Sequence, residues 1–398
     1  MLKQKESILI IFSERKKETP NTFFFEKKFS LEYETKLLYL TDFYHKSNFS
    51  IAKRINEIIQ KENITVVLFQ GDGLSVIDIN FINLINNKVK KGLLTWDDKM
   101  YHYTNRITAS ACDFVLSGCP LSVIKFLELG YKAFFLPVEA NGAVFKDLKE
   151  KKIYDVLFFG RQKNNRAEVI NYLKDNNIKV FQCGPYDEIS NTFEKLNTIM
   201  NQSKIVINFT QQDNTKYKYN QLSYFKFHFD IKGRSYFTGL SGTLCISEYN
   251  PSAELIFKNN ELPIFRSKEE CLKIIKDFLS DNTKLEEATN KYKKKCLEFE
   301  DTVYMKKTKK FIDDIHENSK DIKIQIPFWY EYIYFKKTNL IRFKKNIFFT
   351  FFIQAYETLF INRYKNKGIF PVIFLLTLLS SMLFLLKFPF SKKKYEKI

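Results

Sequence analysis

Short apolar runs alternate with helix-like stretches twice along this chain, and that repeated alternation limits the folds open to it more than any other feature. Ser7–Phe12, Lys36–Leu40, Ile64–Phe69, Gly92–Trp96, Asp113–Ser117 and Lys132–Leu136 are short, mostly apolar runs. Stretches of helical pattern such as Ser50–Lys61 and Pro120–Leu129 lie between them. Strands that are apolar along their length, separated by helices, predict a parallel sheet covered on both faces. The pattern breaks over Leu136–Lys152, where Pro137, Asn141-Gly142 and a run of Lys and Glu read as a linker. It then resumes with strands at Tyr154–Phe159, Ile178–Gln182, Lys204–Asn208 and Thr243–Ser247, and a helix at Asn165–Asp175. An aromatic stretch, Tyr217–Phe229, precedes the last of these strands. Three charged helical segments follow, approximately Ser267–Ser280, Asn282–Phe299 and Thr302–Glu317. Two successive open α/β domains are therefore expected, over residues 1–148 and 149–317.

The remainder differs in kind. Gly368–Leu386 holds 19 residues without a charge, GIFPVIFLLTLLSSMLFLL. As a helix it would extend roughly 28 Å, enough to cross the hydrocarbon core of a bilayer. A membrane helix is expected over 368–390, with a basic tail over 391–398. Residues 318–367 read as a basic, aromatic juxtamembrane segment, in which Asn346–Ile361 has the pattern of a helix lying in the interface. Trp329, Tyr330, Tyr332, Tyr334, Lys336, Lys337, Arg342, Lys344 and Lys345 fit a headgroup belt. Basic residues flank both sides of the apolar run, so spanning and shallow monotopic insertion both stay open. The chain carries a formal net charge of +19, of which Glu317–Ile398 supplies +10. A charge concentrated beside an apolar segment points to anionic lipid rather than nucleic acid.

None of the six cysteines forms a Cys-x-x-Cys pair, and no His cluster stands near them. They read as buried reduced thiols, which places the α/β domains in the cytoplasm. The N-terminus is too charged and too short before its first strand for a signal peptide. No Gly-x-x-x-x-Gly-Lys-Ser/Thr loop and no strand-linked Gly-x-Gly-x-x-Gly occurs, which argues against ATPase and dehydrogenase chemistry.

Ligands of open α/β sheets bind at the carboxyl ends of strands. Gly71-Asp72-Gly73 follows one such strand and is a candidate ligand-binding loop. Asp97 and Asp98 follow another: a carboxylate there either accepts a hydroxyl proton or caps the helix that begins near Lys99. His102, one turn on, is a weaker candidate of the same kind. Gly160-Arg161 and Cys183-Gly184 end strands of the second domain.

Four segments together resemble GT-B glycosyltransferases, most closely the group typified by the spore-maturation CgeB-like proteins. They are GLLTWDD at Gly92–Asp98, YDVLFFGR at Tyr154–Arg161, SKIVINF at Ser203–Phe209 and KGRSYFTGLSGTLCISEY at Lys232–Tyr249. The resemblance runs from about Gly92 to Phe311. It implies two Rossmann-like domains with a nucleotide-sugar, the co-substrate, held by the second and the acceptor by the first. It also implies metal-independent chemistry with no further cofactor, in keeping with the absence of any Asp-x-Asp motif.

In such an enzyme the largest task is to stabilise the diphosphate as the glycosidic bond breaks. Lys232-Gly233-Arg234, opening a short helix, offers backbone amides and fixed cations for it; the other reading is a solvated loop. Gly160, Arg161, Gly184 and Asn208 complete the expected donor edge. Glu254 matches the family's acidic position after the last strand, and Glu248 is near it. Either contacts ribose or sugar hydroxyls, or offsets a helix dipole. One departure stands out: Phe237 occupies a position at which the family commonly has Glu.

The expected function is transfer of a sugar from a nucleotide-sugar to a glycan or lipid-linked acceptor at the membrane surface, without nucleic acid. Two other readings compete with it: a catalytically inactive nucleotide-sugar-binding protein, and a membrane-attached scaffold of envelope-glycan assembly.

Overall fold

The computed structural model describes residues 5–13, 20–43, 46–71, 77–96, 98–138, 140–161, 165–184, 187–210, 231–258, 260–315, 326 and 330. Its strands form two parallel sheets. The first contains β1 (Ser7–Phe12), β2 (Glu34–Tyr39), β3 (Ile64–Gln70), β4 (Lys90–Thr95), β5 (Phe114–Ser117) and β6 (Ala133–Phe135), in the order β2-β1-β3-β4-β5-β6. The second contains β7 (Tyr154–Phe159), β8 (Val180–Cys183), β9 (Ser203–Asn208), β10 (Leu244–Glu248) and β11 (Ile264–Phe265), in the order β11-β10-β9-β7-β8. Every strand pair is parallel, with Ile10 of β1 registered against Leu37 on one side and Leu68 on the other.

Helices α1 (Pro20–Phe29), α2 (Asn48–Lys61), α3 (Ile79–Asn83), α4 (Asp98–Thr108) and α5 (Pro120–Glu128) belong to the first half. In the second half lie α6 (Asn165–Asp175), α7 (Phe193–Asn201), α8 (Arg234–Leu240), α9 (Pro251–Ile256), α10 (Lys268–Ser280), α11 (Asn282–Leu297) and α12 (Asp301–Asp313).

Local chemistry explains how these elements start and pack. The Ser47 side chain accepts a hydrogen bond from the Ser50 amide and caps α2. Ile51, Ile55 and Ile59, four residues apart, then put one apolar face against the first sheet. Burying such side chains contributes about 1.5–3 kcal/mol each, which is why α2 forms here despite its charged outer face. All six residues of β1 are buried, as a strand covered on both faces requires.

The two halves meet through aromatic and charged contacts. Phe135, at the end of β6, lies 6.3 Å from the Tyr236 ring and 6.4 Å from Phe299, centroid to centroid. Helix α12 crosses back, burying Met305 and Ile312 in the same cluster as Ile8, Ile10 and Leu68. At its first turn Asp301 pairs with the fully buried Lys28 at 2.6 Å. Two carbonyl-directed bonds, from Lys28 Nζ to Pro137 and from the Asp301 amide to Ala140, hold the connector between the sheets.

Tyr330 is not part of a headgroup belt: it is fully buried, its ring within the core of the first half. Its hydroxyl lies 2.8 Å from Thr108 Oγ1 and accepts from the Ile79 amide at 3.4 Å. The aromatic ring gains more from that apolar pocket than from an interface, because its one polar atom is satisfied inside. Among the described residues no helix is long and apolar enough to cross a membrane. Gly368–Leu386, like the rest of 331–398, lies outside the described residues.

Candidate active site

Both sheets reverse their winding direction at an inner strand, the point outside whose carboxyl ends ligands of open α/β sheets bind. In the first sheet the switch lies between β1 and β3, and in the second between β7 and β9. The residues singled out from sequence distribute along these edges.

At the second switch point the chain leaves β7 through Gly160, whose φ is +144°. A side chain would be strained there, and a Cβ would sit 3.0 Å from Arg234 Nη2. Arg234 opens α8 and reaches over the ends of β7 and β9. Its Cζ lies 5.7 Å from the Phe159 ring centroid, and its Nη1 donates to Asn208 Oδ1 at 3.3 Å. Asn208 is fully buried at the end of β9 and donates both amide hydrogens, to Ser235 Oγ and Ser247 Oγ, each at 3.1 Å. Those two hydroxyls fix the amide so that its oxygen faces the guanidinium. Sequence reading missed Ser235 and Ser247, although both flank residues it had selected.

Other predicted donor-edge residues take supporting places. Glu248, at the end of β10, accepts from the Thr210 amide at 2.8 Å and so ties the exits of β9 and β10 together. Gly184 ends β8 in a turn closed by its amide donating to Asp187 Oδ2 at 2.6 Å. Arg161 is exposed next to Gly160, and its carbonyl accepts from Arg166 Nη1. Glu254 stands exposed in the first turn of α9. Lys232 and Gly233 lead into α8, with Gly233 at its N-cap; the Ser235 amide bonds back to the Lys232 carbonyl and those of Tyr236 and Phe237 to the Gly233 carbonyl. The amides of Ser235, Tyr236 and Phe237 are thus used within the turn, and the side chain of Arg234 reaches the strand ends. Gly233 itself has ordinary helical angles, φ −49° and ψ −32°. Phe237 faces away from this edge, stacked on Phe145 at 4.5 Å in the core.

On the first sheet Gly71 leaves β3, and its amide bonds to the Leu94 carbonyl at 2.9 Å. Asp72, Gly73 and Asp97 lie outside the described residues. Asp98 opens α4 but does not present a free carboxylate. It is fully buried, with Oδ2 2.7 Å from His102 Nδ1 and Oδ1 accepting from Asn105 Nδ2 at 2.7 Å. Burial alone would push its carboxyl up; the hydrogen bonds and charge of His102, with Asn105, outweigh that and hold it below the usual carboxylate range. Asp98 was open to two readings, a proton acceptor or the cap of α4; in the structure both its oxygens are engaged by side chains of α4 itself, His102 and Asn105. When the ring is neutral and donates from Nδ1 to this carboxylate, Nε2 is its lone-pair nitrogen; the ring is buried and packs 4.7 Å from Phe126. That Nε2 has no hydrogen-bond partner among the described residues. Asn105, seven residues after Asp98, was not foreseen, although residues at that spacing share a helix face.

A cavity of about 330 Å³ opens at the opposite, amino end of the second sheet. Lys149, Lys152, Lys204 and Lys293 line it together with Asp147, Glu150 and Glu286. None of the predicted site residues reaches it. Among the described residues no group of three or more His, Cys, Asp and Glu side chains is placed to hold a metal ion.

No protein-family description matches the sequence, and no curated relative does. Solved structures do match. One is the Anabaena protein HepE in complex with UDP and glucose, at TM-score 0.54 and 8% identity, covering 77% of this chain and 99% of that one. Another is a glycosyltransferase from Rickettsia africae, at TM-score 0.51 and 12% identity, covering 79% and 100%. What they share with this chain is the fold: parallel α/β sheets in the Rossmann-like arrangement of GT-B glycosyltransferases.

Proposed function

We propose that the protein is a glycosyltransferase that binds a nucleotide-sugar at the carboxyl edge of the second sheet. The observation that carries this reading is the guanidinium of Arg234, held over the strand ends at the topological switch by an oriented Asn208. A fixed cation at that place suits a diphosphate whose charge grows as the glycosidic bond breaks, and it needs no reorganisation during the reaction. Support also comes from the fold shared with HepE, a protein solved with UDP and glucose.

On the first domain His102, oriented by Asp98, is the group suited to take the acceptor hydroxyl's proton at Nε2. The balance is simple. The acceptor oxygen forms the new bond to the anomeric carbon, its proton goes to His102, and the bonding pair leaves on the diphosphate. No metal ion or further cofactor is part of this proposal. The finer reading is a CgeB-like hexosyltransferase with a glycan or lipid-linked acceptor, working at the cytoplasmic membrane surface. It rests on the sequence motifs and on the apolar, basic C-terminal segment.

A second reading is favoured by Phe237, which places an aromatic ring in the core where relatives of the resembling group carry a carboxylate. Under it the protein binds nucleotide-sugars without turnover. Thermal shift with UDP, GDP, CMP and their sugars, followed by assay of sugar release and transfer, separates the two. Stabilisation with turnover supports the transferase, and stabilisation without turnover supports the binding protein. No response to any nucleotide removes both.

A further inference from the structure

Helices α8 and α11 meet at Gly239. A Cβ at that position would overlap Cys296 Sγ and stand 2.7 Å from the Cys296 Cβ and 3.1 Å from Tyr292 Cε1. The missing side chain is what lets α11 come this near. The approach brings two side chains of α11, one turn apart, onto a single acceptor. The Tyr292 hydroxyl donates to the Ser235 carbonyl at 2.8 Å, and Cys296 Sγ lies 3.6 Å from the same oxygen. A thiol is the weaker donor of the two. Both residues are fully buried, and the Tyr292 ring packs 5.8 Å from that of Phe257, centroid to centroid. Burial pushes the Tyr292 hydroxyl well above the usual phenol range, so it stays protonated and donating.

The residue that accepts this bond belongs to the anion-binding edge. Ser235 Oγ takes one amide hydrogen of Asn208, and Asn208 Oδ1 accepts from Arg234 Nη1. Arg234 and Ser235 are neighbours in the first turn of α8, a helix of seven residues. So short a helix is marginal by itself and takes its position from what packs on it. Tyr292, 57 positions further along the chain, is fixed to that turn from behind.

We infer that Tyr292 is a positioning residue for diphosphate binding: by holding the Ser235 carbonyl it sets where the Arg234 guanidinium stands over the strand ends. The inference rests on the proposed function and extends it to a group buried behind α8. Guanidinium–phosphate bonds depend on direction as well as charge, so a small shift of the first turn weakens them. Contacts that a nucleoside makes away from Arg234 are left as they were.

The test uses the full chain, with UDP and GDP bound in calorimetry and uridine and guanosine in NMR titration. Wild type is compared with Tyr292→Phe, Arg234→Ala and the double variant. Tyr292→Phe is expected to weaken the diphosphate that wild type binds by about three- to tenfold and to leave the matching nucleoside unaffected. On Arg234→Ala it is expected to weaken binding no further, because the group it positions is gone. Unchanged diphosphate affinity in folded Tyr292→Phe overturns the inference. An equal loss for diphosphate and nucleoside, the mark of a purely structural role, overturns it too, as does the same loss repeated on Arg234→Ala. Should Tyr292→Phe not fold, Gly239→Ala, which parts the same two helices, is held to the same outcomes. Binding weakened by Arg234→Ala but not by Tyr292→Phe removes the inference alone. Binding that Arg234→Ala leaves intact, or no binding of UDP or GDP to wild type, removes the donor-edge reading and the inference with it.

Discussion

The two sheet edges assemble their chemical groups in opposite ways. On the first, Asp98, His102 and Asn105 share one face of a single helix, so the dyad forms as soon as α4 does. On the second, Arg234 is aimed by Asn208, which is held by Ser235 and Ser247, so α8, β9 and β10 must all be in place. Under the proposed function, proton handling would be a local device and anion binding a tertiary one. Changes on α4 should alter turnover with little effect on nucleotide affinity, whereas changes at the second edge should alter affinity and turnover together.

The largest expected effect is on that distinction itself. His102→Ala should lower turnover by about 10²–10⁴-fold with nucleotide affinity unchanged, measured by transfer assay and calorimetry on one preparation. Arg234→Ala should lower turnover by about 10²–10³-fold and weaken nucleotide binding in parallel. If affinity stayed intact there, the contrast between the edges would be broken.

Phe237→Glu is next. Placing a carboxylate where Phe237 stacks on Phe145 should cost about 3 kcal/mol or more in stability by denaturant unfolding, without improving nucleotide binding. Improved binding would mean that α8 presents this position to the ligand.

Asp98→Asn should cost about 1–3 kcal/mol near neutral pH, because a buried, charge-assisted pair becomes neutral. Folded Asp98 is held below its unfolded value, chiefly by its bonds to His102 against the opposing effect of burial. The stability it contributes is complete above the ordinary carboxylate range and is lost as the pH falls through the depressed folded value. The gap in melting temperature between wild type and variant should narrow on that acid side and nowhere above it.

Glu254→Ala, at an exposed position, should change stability by no more than about 0.5 kcal/mol and leave nucleotide affinity alone. A marked loss of affinity would add α9 to the donor edge.

Much of the fold was legible because parallel strands buried on both faces leave nearly unbroken apolar runs. Ser7–Phe12, Tyr154–Phe159 and the helix Asn165–Asp175 are found over the residues expected. Others begin or end one or two residues away, as with β4, which starts at Lys90 rather than Gly92. Helix α7 was not foreseen. Its cap is plain in retrospect, since Thr192 accepts from the Lys195 amide.

In the site, the four-residue spacing of Asp98 and His102 is visible in sequence; the burial of Asp98 is not, because it depends on the helices packed around it. The contact of Arg234 with Asn208 bridges 26 positions and is set by tertiary packing alone. Tyr330 shows the same limit. A tyrosine among aromatic and basic neighbours fits a lipid interface on composition, and only the pocket offered by Thr108 and Ile79 takes it into the core.

The most direct test is a structure of the protein with UDP or GDP bound. The account predicts diphosphate oxygens within about 3 Å of the Arg234 guanidinium, above Gly160 and the end of β9. A diphosphate seated elsewhere, for instance among Lys149, Lys152, Lys204 and Lys293 at the opposite end of that sheet, would contradict it.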